Sequence, residues 1–400
     1  MRAPPTYPSP TYISAAADGG IPDDIIRELC ARLFASLPRT DQRRKGEQYV
    51  RGLLSAHGRK SVRNIARVLG DRSVEQGLHH FITGSTWDWR PVRGSLAGYL
   101  SAVAQPQAWV VRPMVIPKSG KKSVGVDRRF VSELGQVVNS QQAFGGWLAS
   151  EELSVPVNWR LVLPAGREPR SPAGARPASA DTVGECAGAA ALDLAASKRF
   201  GAGRPVVIDV GLVDVGAMVH RFTAAGVPVL VKIGAATRLT ADDPAVPGDA
   251  GRDVPAHRMV DLVRTQRRPV EWLDPASRAM RTSFAAAVRV RPPWPAGNGA
   301  GRVRPLRLLG EWEDPRRWPT SFWLTDLAEP PGSLLRLARL TRRVDRDFAE
   351  VSAQVGMRDF EGRSFQGWHR HATLASAAHA AAILATAGAP AARPARARSS

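Results

Sequence analysis

Acids, histidines and cysteines are the side chains with which this chain could do chemistry, and one carboxylate stands apart by its position. Asp209 ends the run Pro205-Val206-Val207-Ile208-Asp209, which reads as a short buried strand, and reactive acids in α/β sheets gather at the carboxyl ends of strands. The same place suits a helix N-cap, because Asp209 and Asp214 both stand before or at the opening of the next helical stretch. His79-His80 and His369-Arg370-His371 carry metal-capable imidazoles. With no Cys or carboxylate at ligand spacing, they read better as surface or network histidines. Two cysteines, Cys30 and Cys186, are too few for a disulfide framework or a cysteine zinc site. No P-loop, HExxH or paired CxxC occurs, and Gly201-Ala202-Gly203 alone is too little to mark a nucleotide loop.

The elements that must position these groups change character along the chain. Ile25, Ile26, Leu29, Cys30, Leu33 and Phe34 form an apolar helical stripe after Pro22, with Cys30 expected inside. Ser61 caps a segment with Val62, Ile65, Ala66 and Leu69 on one face, Gly70 is placed to end it, and Ser73 with Gln76 forms a capping-box pattern before Leu78, Phe81 and Ile82. Two short helices with a tight turn at residues 70–72 have helix-turn-helix dimensions, although an ordinary helical hairpin has them too. After Gln105 the pattern turns to strands, at residues 108–116, 124–126, 137–148 and 159–163. Residues 164–181 read as a Pro-, Ala- and Gly-rich linker, 185–200 as a helix, and 206–210, 213–225 and 227–233 as a strand, helix, strand unit with a buried parallel pair. Residues 235–257 and 292–301 look loop-like, strands are expected at 285–290, 304–309 and 321–324, and a long helix over 334–355.

Charge points to the partner. Fifty-six Lys and Arg against 36 Asp and Glu leave a net charge of +20, which makes a polyanion the first partner to consider. Arg- and Ala-rich usage from GC-rich coding would scatter basic residues; here eight of them, Arg39, Arg43, Arg44, Lys45, Arg51, Arg59, Lys60 and Arg63, fall between residues 39 and 63 with only Asp41 and Glu47 among them. With Arg67 and Arg72 they flank the two short helices, where phosphates are the expected contact. A hydrophobic share of 44% supports a buried core. No apolar run reaches membrane-spanning length, and the first fifteen residues lack a secretory layout. A cytoplasmic, nucleoid-associated protein with no membrane partner is the expectation.

Several motifs carry a family resemblance. Trp109-Val110-Val111 leading into Ile116-Pro117-Lys118-Ser119-Gly120-Lys121-Lys122-Ser123-Val124-Gly125-Val126, then Gly135-Gln136-Val137-Val138-Asn139-Ser140-Gln141, Val206 to Gly211, and Phe360 to His371 resemble the core of the DDE transposases of bacterial insertion sequences. The likeness covers about residues 22–380. It implies an α+β chain: a ribonuclease-H-like mixed sheet with flanking helices, preceded by an N-terminal helical, helix-turn-helix-like domain and carrying a β-rich insertion. The expected divisions are a disordered terminus at 1–21, a helical DNA-binding domain at 22–104, the first part of the core at 105–234, the insertion with loops at 235–332, core C-terminal helices at 333–385 and a disordered basic tail at 386–400.

The resemblance also implies the chemistry. Three carboxylates on neighbouring elements hold two divalent ions, magnesium by oxygen-ligand preference, that activate water or a 3′ hydroxyl. Where the family has an Asp pair this chain has Arg112 and Pro113, so the first acid is missing. Asp209 matches the second acid, Asp345 stands where the family has Glu, and Ser352 replaces a Lys one to two turns later. Asp209 and Asp345 are thus the remnant catalytic and metal-binding acids, and Asp127 is a candidate substitute for the first. A guanidinium opposes cation binding besides removing a ligand, and Asp345 retracts its carboxylate by about 1 to 1.5 Å relative to Glu, a shift that can cost about a hundredfold in rate. The expectation is a transposase-family protein that binds double-stranded DNA through Arg39, Arg43, Arg44, Lys45, Arg59, Lys60, Arg63, Arg67, Arg72, Lys118, Lys121 and Lys122, with a homodimer as candidate assembly, and with magnesium-dependent cleavage and strand transfer impaired. A repurposed DNA-binding regulator or accessory protein, an active transposase with a rearranged acid set, and a decaying gene product are the alternatives.

Overall fold

A computed structural model gives the fold. It describes residues 21–70, 72–131, 134–164, 183–195, 203–211, 214–246, 251–291 and 306–387. The expected terminus before residue 21, the linker at 165–181, the loop at 292–301 and most of the basic tail lie outside them.

Five helices open the chain: α1 (Asp23–Phe34), α2 (Thr40–Ser55), α3 (Val62–Leu69), α4 (Arg72–Thr83) and α5 (Trp89–Val103). The apolar stripe of α1 is buried except for the half-buried Ile25, and burial pushes the Cys30 thiol up to about 12. Ser61 caps α3 by accepting the Asn64 N–H at 3.2 Å. Gly70 ends α3 at φ +100°, a left-handed conformation that a side chain would strain. Helix α4 starts at Arg72, which places Ser73 in its first turn.

Among the described residues the strands are β1 (Ala108–Pro117), β2 (Val126–Val131), β3 (Gln136–Ala149), β4 (Ser154–Leu161), β5 (Val206–Ile208), β6 (Val229–Ile233), β7 (Arg238–Thr240), β8 (Asp253–Pro255), β9 (Arg268–Leu273), β10 (Met280–Val290), β11 (Leu306–Trp312) and β12 (Ser321–Thr325). Ten of them form one mixed sheet in the order β2-β3-β1-β5-β6-β12-β11-β10-β9, with β4 also on β3, and β7 and β8 pair separately. β3 pairs antiparallel with β1, β2 and β4. At the centre β1, β5 and β6 run parallel. Their near-continuous Val and Ile content fits strands covered on both faces. Helix α6 (Val183–Ala195) packs over β1, β3 and β4, and α7 (Val215–Ala224) over β6. The strands after β8 extend this same sheet, because β12 pairs antiparallel with β6. Helix α8 (Ala256–Leu262) packs on β10 and β11. It closes a stretch expected to be loop.

Helix α9 (Pro331–Asp347) ends at a π-helical turn, Phe348–Ser352, where the sequence predicts one uninterrupted helix. The last helix, α10 (Phe365–Ala387), packs against α1, α2, α4, α5 and β4. Every residue of α10 from Gly367 to Ala381 is buried, its Ala and Leu faces in the core and its His369, Arg370, His371, Thr373, Ser376 and His379 hydrogen-bonded. It joins the opening helices and the sheet into one core. This mixed α+β sheet with flanking helices is consistent with the ribonuclease-H-like expectation.

Candidate active site

Strand register assembles the site. β1 and β5 pair through Val111 and Ile208, and β5 and β6 through Ile208 and Val231. The next residue on each strand, Arg112, Asp209 and Lys232, therefore lies abreast of the others, about 5 Å from one backbone to the next. Pro113 stands two residues past the last β1–β5 pair, where β1 has lost that neighbour and tolerates a missing N–H more readily.

Asp209 and Asp345 each hold a cation of the chain. Lys232 donates from Nζ to Asp209 Oδ2 at 2.8 Å. Arg112 donates from Nε to Asp345 Oδ1 at 2.8 Å, and from Nη1 to the Pro113 carbonyl at 2.8 Å. The guanidinium lies 3.8 Å from the ring centre of Phe348, the first residue of the π turn, and Arg358 sits over the same ring at 4.8 Å. Asp345 is thus held at Arg112, the strand neighbour of Asp209. The N-cap alternative for Asp209 is filled instead by Asp214, which accepts the Ala217 N–H at 3.0 Å.

Two residues anchor the helix that carries Asp345. Asp347 is buried and accepts from Ser154 N–H at 2.9 Å, Ser154 Oγ at 2.8 Å and Arg343 Nε at 2.9 Å, tying α9 to β4. Burial pushes its carboxyl up, against the pull of Arg343 and Ser154. Ser352 faces α10, its Oγ 3.1 Å from His379 Nδ1. Asp127 does not reach Arg112. It pairs with Ser140 on β3, whereas Arg112 pairs with Gly145; five residues along one strand is about 16 Å, on the far side of β3.

These residues do not fit two magnesium ions. Such a site needs carboxylate oxygens free to converge on the ions, and both acids here already serve a guanidinium or an ammonium. Those cations also repel a divalent ion brought close to them. Among the described residues no group of three His, Cys, Asp or Glu is placed to hold a metal.

The histidines sit in networks. His371 lies 2.9 Å from Tyr49 Oη and 2.9 Å from the Gly356 carbonyl. His369 stacks on Trp89 at 4.8 Å and meets Arg93 at 3.0 Å. His79 and His80 are on the surface.

The basic residues divide by exposure. Arg44, Arg63, Arg67, Lys121 and Lys122 are exposed. Arg39 pairs with Asp41 at 2.9 Å, Arg59 with Glu361 at 3.1 Å, and Arg43 donates to the Leu37 carbonyl at 2.7 Å; all three remain exposed. Lys45 is half-buried, and the Arg72 side chain lies outside the described residues. Lys118 donates to the Phe360 carbonyl at 2.7 Å, and burial with the neighbouring Arg59 pushes its ammonium down to about 8. Lys60 is the exception to the expected surface role. It is 7% exposed, its ammonium bonds the Ala56 carbonyl, and its N–H donates to Asp359 at 2.7 Å. Its place in a basic cluster suggested a surface, but its side chain turns inward between α2 and α3.

Lys232 escaped the sequence reading, because one lysine in an apolar strand has no motif; its level with Asp209 appears only once β5 and β6 are in register. No curated protein matches the chain. A family model described as DDE superfamily endonuclease matches residues 32–319, a span that holds the parallel β1, β5, β6 centre with Arg112 and Asp209 and stops short of α9. Most of the chain lies inside that span, and the chain belongs to the DDE superfamily endonucleases.

Proposed function

We propose that this is a transposase-family, DNA-binding protein in which metal-dependent strand cleavage and transfer are impaired. The ion pair between Arg112 and Asp345 carries the reading: the position of the first acid is occupied by a cation that binds the third. Lys232 engages the second in the same way. Double-stranded DNA is the partner, contacted by α3 and α4 as a helix-turn-helix through Arg63 and Arg67, with Arg39, Arg44, Arg59, Lys121 and Lys122 on phosphates. Capping of α3 by Ser61 and the left-handed turn at Gly70 support that unit.

The test is a pair of measurements on the full chain. Duplex DNA should bind, with affinity falling steeply as salt rises. Supercoiled plasmid carrying the sequences that flank the coding region should be nicked in magnesium no faster by wild type than by Asp209→Ala. Robust nicking that disappears in Asp209→Ala would overturn the impairment, and absence of duplex binding at low salt would overturn the DNA-binding role.

A further inference from the structure

The exchange of an acid for Arg112 does more than remove a ligand. A site of three carboxylates carries three negative charges until its ions load, and repels a DNA phosphate in their absence. Here two carboxylates, Asp209 and Asp345, face two fixed cations, Lys232 and Arg112. The two carboxylates are matched by two cations without any metal, and the Arg358 guanidinium adjoins them over the Phe348 ring. Both cations also keep donors in hand. The hydrogen bonds of Arg112 use Nε and Nη1, leaving Nη2 with none among the described residues. Lys232 Nζ gives one of its three protons to Asp209. Their side chains are 22% and 42% exposed, so solvent reaches part of each beside the sheet.

We propose that Arg112 and Lys232 form a metal-independent phosphate site, in which a guanidinium and an ammonium two strands apart hold a DNA backbone phosphate at the place where the family holds its ions. Arg112 is built for this. Phe348 beneath the guanidinium and Asp345 beside it fix its plane, and a fixed planar fork loses little freedom on meeting a phosphate. Asp209 holds Lys232 at the level of Arg112 and leaves two of its three protons to donate. Binding of DNA at this site then needs no divalent ion. The inference rests on the DNA-binding reading and adds where one contact is made and what it does not require.

The experiment uses the full chain and a short fluorescein-labelled duplex, titrated by anisotropy across a salt series in EDTA and again in magnesium. The variants are Arg112→Asp, Arg112→Gln and Lys232→Met, with the two milder ones covering the case in which Arg112→Asp folds poorly. Wild type should bind equally well in both buffers. Arg112→Gln and Lys232→Met should each flatten the dependence of log affinity on log salt by about one phosphate contact and weaken binding by about tenfold at moderate salt. Arg112→Asp should weaken binding further in EDTA and recover part of it in magnesium. Wild-type binding that requires magnesium, or Gln and Met variants with the wild-type salt slope, would overturn the phosphate site while leaving DNA binding intact. No wild-type binding in either buffer would overturn the DNA-binding reading itself, and this site with it.

Discussion

Arg112 and Asp345 meet at 2.8 Å although 233 residues separate them in sequence, and their contact joins the central strand β1 to the last turn of α9. The pair is asymmetric. Arg112 is largely covered and rests on Phe348, whereas the Asp345 side chain is 61% exposed. Most of its structural value therefore belongs to the guanidinium on the ring and little to the Coulomb attraction, which water screens.

That asymmetry sets an order of stabilities. Arg112→Ala should lower the unfolding free energy by about 1 to 2 kcal/mol, from lost cation–π contact and packing. Asp345→Ala should cost less than about 1 kcal/mol. Urea unfolding of the two variants and wild type compares them, and a larger loss in Asp345→Ala would show that the ion pair is the structural element.

The buried histidines make stability depend on pH. Burial pushes His371 down to about 4 and His379 down to about 3, from 6.5 in an unfolded chain. Between about pH 6.5 and pH 4 the unfolded chain takes up protons that the folded one refuses, so stability falls as pH falls through that window. At pH 5 each histidine should have cost about 2 kcal/mol. Melting temperature should drop between pH 7 and pH 5, and His379→Gln should flatten the drop even if it lowers the melting temperature at pH 7. An unchanged slope in that variant would remove His379 from the account.

Much of this was legible in the sequence for simple physical reasons. Val206 to Ile208 could be nothing but a buried strand, and its parallel partner followed one helix later, so the place of Asp209 was readable. The α1 stripe, the Ser61 cap and the Gly70 stop are signals within one or two helical turns. What escaped depends on distant partners. Whether Lys60 faces water is decided by Asp359 and the Ala56 carbonyl, and whether Asp127 can replace an acid is decided by the β1–β3 and β2–β3 registers. The break of α9 at Phe348 had no Pro or Gly to announce it. The first residue of the π turn is the one on which Arg112 rests.

Lys60 separates DNA contacts from folding contacts within one basic segment. Reversing Arg44, Arg63 and Arg67 to Glu should weaken duplex binding strongly and similarly for all sequences, with the melting temperature within a few degrees of wild type. Lys60→Ala should do the opposite. It removes the buried ammonium from Ala56 and opens space beside Gly356, whose position already lies against the Lys60 side chain, and should cost about 1 to 3 kcal/mol of stability. Anisotropy at matched folded fractions decides it; a Lys60→Ala protein that is fully stable but binds weakly would return Lys60 to the DNA interface.

Repair of the site should succeed only in combination. Arg112→Asp places a carboxylate on β1 and removes one repelling cation, yet Asp345 is one methylene shorter than a Glu and Lys232 still holds Asp209. Asp345→Glu alone lengthens an acid that Arg112 goes on neutralising. Lys232→Met alone frees Asp209 while the first position stays cationic. Each single change should leave magnesium-dependent nicking near background, because ligands that hold a metal together lose function together. Arg112→Asp with Asp345→Glu should exceed the product of the two single effects, and adding Lys232→Met should raise nicking again, since all three acids are then free to face a divalent ion. Supercoiled plasmid with candidate ends, incubated with each protein in magnesium and in manganese, measures the series against Asp209→Ala. Recovery by Arg112→Asp alone would mean that Lys232 and the shorter Asp345 never obstructed the ions. A triple variant that folds, binds duplex and still fails to nick would place the defect elsewhere, Pro113 on β1 being the next residue to restore.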